Sequence, residues 1–245
     1  IGTIHNGEYQ GQMKWDIINH FPWIDGTSNL GLLDWNGFIN PLAAMLKCCT
    51  AFNAVSGGYL QELFHNFKGL ESLVQQEHQK AFGIINGIDT EVWDPKTDDY
   101  LNFNYSIEDA GVGKWKNKEA ICAEYHLNPN LPLFAFIGRF AGEKGADLLP
   151  EIVQKSIHQT QGKINIIILG SGDPKIEYEL KTLDSIYGNF ALDLGYKEYL
   201  SHQIYASADF LLMPSRVEPC GLNQMYSMRY GTIPIVRYTG GLRDT

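Results

Sequence analysis

From residue 133 to residue 236 the chain repeats one unit, a short and continuously apolar run followed by a longer segment with apolar residues at helical spacing. The runs at 133–137, 164–169, 190–194, 210–213 and 233–236 read as strands, and the segments 147–158, 176–187, 199–206 and 222–230 read as helices, with Gly188 and Gly231 as stop signals. Strands without polar alternation are buried on both faces. A parallel sheet with helices covering both of its faces meets that requirement, so the pattern predicts an α/β fold.

The first hundred residues carry the same chemistry less regularly. Residues 1–4 read as the end of a buried strand, Asn40-Pro41 as a cap and first-turn pair opening a helix over 42–48, and 51–55 as a further strand. Ser56 is placed to cap a helix over 59–64, and 82–85 reads as a strand ending at Asn86-Gly87. Between Asp94 and Pro132 the pattern loosens into a polar, turn-rich stretch with Gly111, Gly113, Lys114, Lys116 and Lys118, ahead of a short helix over 119–126. The expected division into domains is therefore 1–115 and 116–245. An Ile at position 1 and a last residue, Thr245, just past a strand read as a chain cut at both ends.

Composition narrows the partners. With 28 Asp+Glu against 19 Lys+Arg and a net charge of −9, the chain lacks the clustered cations that hold phosphate backbones, so nucleic acid is not an expected partner. The most apolar stretch, 30–55, is interrupted by Asp34, Asn36, Asn40 and Lys47, which argues against a membrane span. Four cysteines, two of them adjacent, suggest neither a disulfide framework nor a zinc site and fit a reducing compartment.

In open parallel sheets the ligand site lies outside the carboxyl ends of the strands, so the residues after each strand are the candidates for function. After 133–137 come Gly138-Arg139 and Glu143-Lys144-Gly145, which is not a Walker A loop because Lys144 is followed by Gly145. Its two cations suit an anionic diphosphate, and the same spacing also suits solvated loop charges. Gly170-Ser171-Gly172 reads as a tight turn. Glu218, in Pro214-Ser215-Arg216-Val217-Glu218-Pro219-Cys220-Gly221, is a carboxylate between strand and helix that packing explains poorly, with amides at Gly221 and Leu222 able to receive a phosphate. Cys220 has no assigned base and reads as a small buried hydrophobe rather than a nucleophile. Arg237-Tyr238-Thr239-Gly240-Gly241-Leu242 reads equally as a glycine turn whose free amides would face the same sheet edge or as an ordinary turn, and His5, a lone histidine after the first strand, suits a structural role as well as a site.

Together these residues resemble a family. His5-Asn6-Gly7-Glu8-Tyr9-Gln10-Gly11, Ile85-Asn86-Gly87-Ile88-Asp89 with Trp93 and Pro95, Gly138-Arg139 with Glu143-Lys144-Gly145, the Pro214 to Leu222 run, and Tyr230-Gly231-Thr232 through Leu242 are similar to bacterial glycogen synthase and plant starch synthase. The resemblance implies a GT-B architecture of two Rossmann-like domains facing across a cleft, an acceptor-side domain over 1–115 and a nucleotide-sugar domain over 116–245. It implies retaining transfer of glucose from ADP-glucose to the non-reducing end of an α-1,4-glucan, glycogen or starch, with no metal and no cofactor. On that model Arg139 and Lys144 hold the diphosphate, Glu218 lies beside the donor sugar, Cys220, Gly221 and Leu222 cap the phosphate, and Thr239, Gly240 and Gly241 border the nucleotide sugar. His5 contacts the glucose, Tyr196 lies along the adenine, and Asn86 is expected at the cleft.

Two departures carry information. Many other retaining GT-B enzymes have a second glutamate eight positions after the first, where this chain has Tyr226, as in the glycogen synthase branch. Asn223 stands where some members carry threonine. The family's donor-side lysine-glycine-glycine loop is expected before residue 1 and its crossing C-terminal helix beyond residue 245, so these 245 residues alone are expected to bind ADP weakly and transfer no glucose. The expected setting is the bacterial cytoplasm, or the plastid for a plant chain. A catalytically silent glucan binder and a UDP-glucose-dependent enzyme are the alternatives.

Overall fold

The computed structural model describes residues 1–20 and 30–245, which form two compact units, Ile1–Asn86 with Asp244 and Gly87–Arg243 with Thr245. The elements of the first unit, in chain order, are β1 (Gly2–Ile4), α1 (Leu30–Leu33), β2 (Asp34–Trp35), β3 (Phe38–Ile39), α2 (Pro41–Cys48), β4 (Phe52–Ala54), α3 (Gly57–Leu63), α4 (Glu71–Gln76) and β5 (Ala81–Gly83). β1, β4 and β5 make a parallel sheet with β4 in the middle, and β2 and β3 pair as a small antiparallel hairpin. Both expected caps are present. Asn40 Oδ1 accepts from the Ala43 amide at 3.0 Å, and Ser56 Oγ accepts from the Tyr59 amide at 2.9 Å. Asn40 is fully buried and its amide nitrogen also donates to Gln10 Oε1 at 2.8 Å, so one side chain starts α2 and anchors the segment after β1.

The second unit contains α5 (Ala110–Glu124), β6 (Leu133–Phe140), α6 (Leu149–Gln159), β7 (Asn165–Gly172), α7 (Pro174–Asp184), β8 (Phe190–Leu194), α8 (Glu198–Ser207), β9 (Phe210–Met213), α9 (Asn223–Arg229) and β10 (Ile233–Val236). All five strands are parallel, in the order β10-β9-β6-β7-β8. Alternate residues of the central strands feed two cores. Leu133, Ala135, Ile167 and Leu169 pack with residues of α5, α8 and α9, whereas Phe136, Ile166 and Ile168 pack with α6 and α7. Burial on both faces is the reason these strands show no polar alternation.

The polar stretch after residue 94 packs into this second unit. The helix expected over 119–126 begins at Ala110, a turn-rich reading overturned by what its glycine and lysines touch. Gly113 is where the helix crosses Tyr105, since a Cβ there would lie 2.2 Å from Tyr105 Cβ. Lys118, with a side chain only 9% exposed, pairs with Asp209 at 2.6 Å, and Lys114 Nζ donates to Thr232 Oγ1 at 2.8 Å and to the Tyr230 carbonyl at 3.2 Å. These lysines are docking residues rather than solvated charges.

Ahead of α5, Asp98 is buried against His202 of α8, whose Nδ1 lies 2.7 Å from Asp98 Oδ2, and Tyr230 OH donates to the same oxygen. Burial pushes the Asp98 carboxyl up, and the hydrogen bonds from His202, Tyr230 and the Tyr100 amide more than offset it, leaving it below the ordinary carboxylate value.

Two outcomes are expected for stability. Gly113→Ala forces a methyl into buried Tyr105 and should lower stability by about 1–3 kcal/mol, whereas Gly111→Ala, with nothing within 4 Å of the new Cβ, should raise it by about 0.5 kcal/mol. Urea unfolding of the two variants reads both signs. For Asp98, a folded value below the unfolded one means stability that is present above the unfolded carboxylate range of about 4 and lost as pH falls through the folded value. Asp98→Asn should therefore be less stable than the parent at pH 7, with the gap closing on acidification. A gap independent of pH would show that the carboxylate is not what stabilises the site.

Candidate functional site

In the second unit β6 and β9 are neighbours, but the chain leaves β6 toward β7 on one side and leaves β9 toward β10 on the other. The loops that follow two such strands part in opposite directions and open a crevice at their carboxyl ends. Here the loops are also tied to each other. Gly145 has a left-handed φ of +67°, and a Cβ on it would lie 2.3 Å from the Pro214 carbonyl oxygen, so only glycine allows the approach. Arg216 donates its amide to the Glu143 carbonyl at 2.8 Å and grips both oxygens of Asp147, at 2.5 and 2.8 Å. That contact raises the Arg216 guanidinium above its ordinary value and lowers the Asp147 carboxyl.

This clamp brings Lys144 to Glu218. The ammonium lies 2.6 Å from Glu218 Oε2, which also accepts from Ser215 Oγ at 3.1 Å, and the carboxylate side chain is 8% exposed. Of the two readings of Lys144, the solvated charge is excluded by this contact. Arg139 is different: its side chain is 68% exposed and pairs with Glu143 at 2.7 Å. Lys144, Glu218, Ser215, Arg139 and Leu222 border a cavity of about 230 Å³. A second cavity of about 330 Å³ shares Ile137, Gly138, Arg139 and Asn223 with the first and adds Tyr196, Lys197, Trp93, Tyr205 and Tyr226. One compartment is charged and the adjoining one is aromatic.

The structure places the remaining expected residues as follows. Tyr196 is 85% exposed at the rim of the aromatic cavity. Cys220 is buried, as expected of a small hydrophobe, and Gly221 turns the chain at φ +77° so that α9 starts two residues later. Asn223 Nδ2 donates to the Ile137 carbonyl at 2.8 Å, so this side chain fastens α9 to the end of the strand core. His5 is exposed after β1, and Asn86 is the last residue of the first unit.

Two sequence-based expectations are corrected. Gly170-Ser171-Gly172 is not a turn but the end of β7, paired with Gly138, Arg139 and Phe140 of β6. Its glycines are explained by closeness, since Cβ atoms there would lie 2.0 Å from the Gly138 carbonyl oxygen and 2.5 Å from that of Phe140. The Gly240-Gly241 turn does not offer its amides freely, because the Gly241 amide donates to the Glu218 carbonyl at 3.0 Å. Both glycines press on the Glu218 to Cys220 backbone, with Cβ positions 2.0 and 2.2 Å from its carbonyl oxygens, and Thr239 Oγ1 donates to the Arg216 carbonyl at 3.4 Å. The turn thus holds the Glu218 loop in place from behind.

Reading the ends of strands did not single out Ser215, Lys197, Tyr205 or the Arg216–Asp147 clamp. Ser215 and Arg216 lie within the run after β9, which gives no sign of their partners, and Lys197 adjoins Tyr196. Nothing local marks Tyr205 or Asp147, whose roles come from contacts across the fold.

The chain is similar to known proteins along its length. A family model described as starch synthase catalytic domain matches residues 1–76, and one described as glycosyl transferases group 1 matches residues 117–245. The chain is 52% identical over 244 residues to a glycogen synthase of Flavobacterium johnsoniae, covering 99% of this chain and 51% of that protein. It is 39% identical over 258 residues to starch synthase 2 of Arabidopsis thaliana, covering 99% of this chain and 32% of that one. Among solved structures, the catalytic domain of starch synthase IV from Arabidopsis thaliana bound to ADP and acarbose superposes with a TM-score of 0.88 at 33% identity, over 99% of this chain and 51% of that chain. The chain spans about half the length of the bacterial relatives it matches. With its parallel α/β units, its likeness to that catalytic domain and a family model matched over more than half of its residues, the chain has the GT-B fold and belongs to the glycosyl transferases group 1.

Proposed function

We propose that the whole protein is a glycogen or starch synthase that transfers glucose from ADP-glucose to the non-reducing end of an α-1,4-glucan with retention of configuration. The observation that carries the reading is the Lys144–Glu218 contact at the β6/β9 crevice, 2.6 Å long and beside a cavity that continues into an aromatic one. A buried carboxylate paired with one lysine and one hydroxyl is costly to maintain for packing alone. Beside an anionic donor it has a use. Lys144 and Arg139 together supply two positive charges where a diphosphate leaving group would gain negative charge, a preorganised electrostatic stabilisation that assigns no step to a metal. Glu218, fixed by Lys144, Ser215 and the glycine turn behind it, faces the sugar end of the donor, and the amides of Gly221 and Leu222 face its phosphates.

The aromatic compartment supports a nucleoside beside those phosphates, with Tyr196 available to stack on the base. His5 and Asn86 are assigned to the glucose and to the donor side of the first unit. The starch synthase IV structure contains ADP and acarbose, a nucleotide and an oligosaccharide analogue, which is the ligand pair this reading requires. The 52% identity to a bacterial glycogen synthase supports glycogen as acceptor and the bacterial cytoplasm as setting, with starch and the plastid as the plant counterpart. Among the described residues no helix is long and apolar enough to cross a membrane.

The test uses the full-length protein with labelled ADP-glucose and glycogen. Label should enter acid-precipitable glucan, and none entering would refute the proposal. Lys144→Ala and Glu218→Ala should each lower kcat by about 10²–10³-fold, the loss typical of one preorganised electrostatic partner, with a smaller change in glycogen affinity. Near-parental rates in both variants, with circular dichroism confirming that they are folded, would place the chemistry elsewhere.

A further inference from the structure

The aromatic cavity has a wall that does not come from the strand ends. Trp93 belongs to the segment that enters the second unit ahead of α5, and it lines the cavity together with Tyr226 of α9. Its indole is stacked on His202 with ring centroids 3.8 Å apart at 15°, and on Tyr226 with centroids 3.7 Å apart at 17°. Two rings cannot occupy one indole face at such distances, so Trp93 is the middle member of a three-ring column. One end of the column is fixed. His202 is fully buried, its Nδ1 is held by Asp98 at 2.7 Å with Tyr230 OH 3.4 Å away, and its Nε2 has no hydrogen-bond partner, so Asp98 is the nearest polar contact that orients the imidazole. The backbone around Trp93 is fixed as well, because Arg229 of α9 donates to the Trp93 carbonyl at 3.2 Å and pairs with Asp94 at 2.8 Å. The other end, Tyr226, meets the cavity.

We propose that this column is a nucleoside-positioning device: Trp93 and Tyr226 contact the nucleoside of the donor, and the buried Asp98–His202 pair acts through Trp93 to set where they stand. The inference rests on the donor-site reading above and deepens it. A carboxylate at the Tyr226 position would face an aromatic wall, whereas a tyrosine there continues the stack and offers a ring face and a hydroxyl to a planar base and its ribose. Asp98 and His202 touch no ligand. They are positioning residues whose loss tilts the wall without removing it. The segment that follows the first unit in the chain thereby contributes directly to nucleotide recognition in the second.

Only Trp93 among the described tryptophans lines this cavity, so the difference in emission between the parent and Trp93→Phe isolates the signal of the site. The experiment titrates ADP, and in a separate arm UDP, into the full-length protein and follows both tryptophan fluorescence and calorimetric heat. The parent should bind ADP with a change in emission. Trp93→Phe, which keeps an aromatic ring in the column, should bind ADP within about threefold of the parent while losing the emission change. Trp93→Ala, which removes the edge that lines the cavity and the ring that supports Tyr226, should weaken ADP by about 10-fold and raise the KM for ADP-glucose by a similar factor, with the KM for glycogen nearly unchanged. His202→Ala should shift the same two quantities in the same direction by less. Parental ADP affinity in Trp93→Ala, or a full emission change in Trp93→Phe, overturns the inference while leaving the donor site in place. A parent that binds neither ADP nor UDP overturns the donor-site reading and this inference together.

Discussion

The Lys144–Glu218 contact is what the sheet and loops of the second unit combine to build. Its two partners are 74 residues apart in the chain and lie on loops that follow neighbouring strands, so the contact exists only if β6 and β9 are adjacent. That adjacency needs the sheet order β10-β9-β6-β7-β8, which in turn needs helices on both faces and strands apolar on both sides. A carboxylate this buried has to be paired, and removing its lysine would leave an uncompensated charge. Every surrounding device serves that pairing. Gly145 lets the two loops touch, Arg216 clamps Asp147 and the Glu143 carbonyl, and Gly240 and Gly241 press against the Glu218 backbone.

The charged compartment and the aromatic compartment meet at Gly138, Arg139 and Asn223. On the proposed reading, the molecule that fills both is anionic at one point and flat at the next, as a nucleoside diphosphate is. The protein reaches that division by using different parts of the chain. Lys144 and Glu218 come from loops after strands and Arg139 from the last residues of β6, whereas the aromatic wall comes from α8, α9 and the segment around Trp93, where side chains are held by packing.

How much of this was legible in the sequence depended on whether the signal was local. The five strands of the second sheet could be read because burial on both faces writes itself as continuous apolar runs, and the caps at Asn40 and Ser56 because a single side chain makes the bond. The first half of α5 was not, because Gly111, Gly113 and the lysines suppress an apolar stripe, and the helix is stabilised by contacts to Tyr105, Asp209 and Thr232 that lie elsewhere in the chain. Gly170 and Gly172 looked like a turn for a related reason: glycine marks close backbone approach as often as it marks a bend, and only the neighbouring strand decides. Lys144 and Glu218 could be picked out by their place after strands, and they do meet; Arg139 was expected after a strand ending at 137, but β6 runs on to Phe140 and carries it, because the glycines of β7 let the pairing continue. The His202–Trp93–Tyr226 column gave no local sign, since its members come from three segments joined only by the fold.

On the proposed function a donor diphosphate binds at the β6/β9 crevice. The most direct measurement is a crystal structure of the full-length protein with ADP. Phosphate oxygens should lie within hydrogen-bond reach, about 2.7–3.2 Å, of Lys144 Nζ and of the Gly221 and Leu222 amides, with the adenine in the cavity bordered by Tyr196 and Trp93. A diphosphate bound away from Lys144, with the Lys144–Glu218 pair untouched, would contradict it.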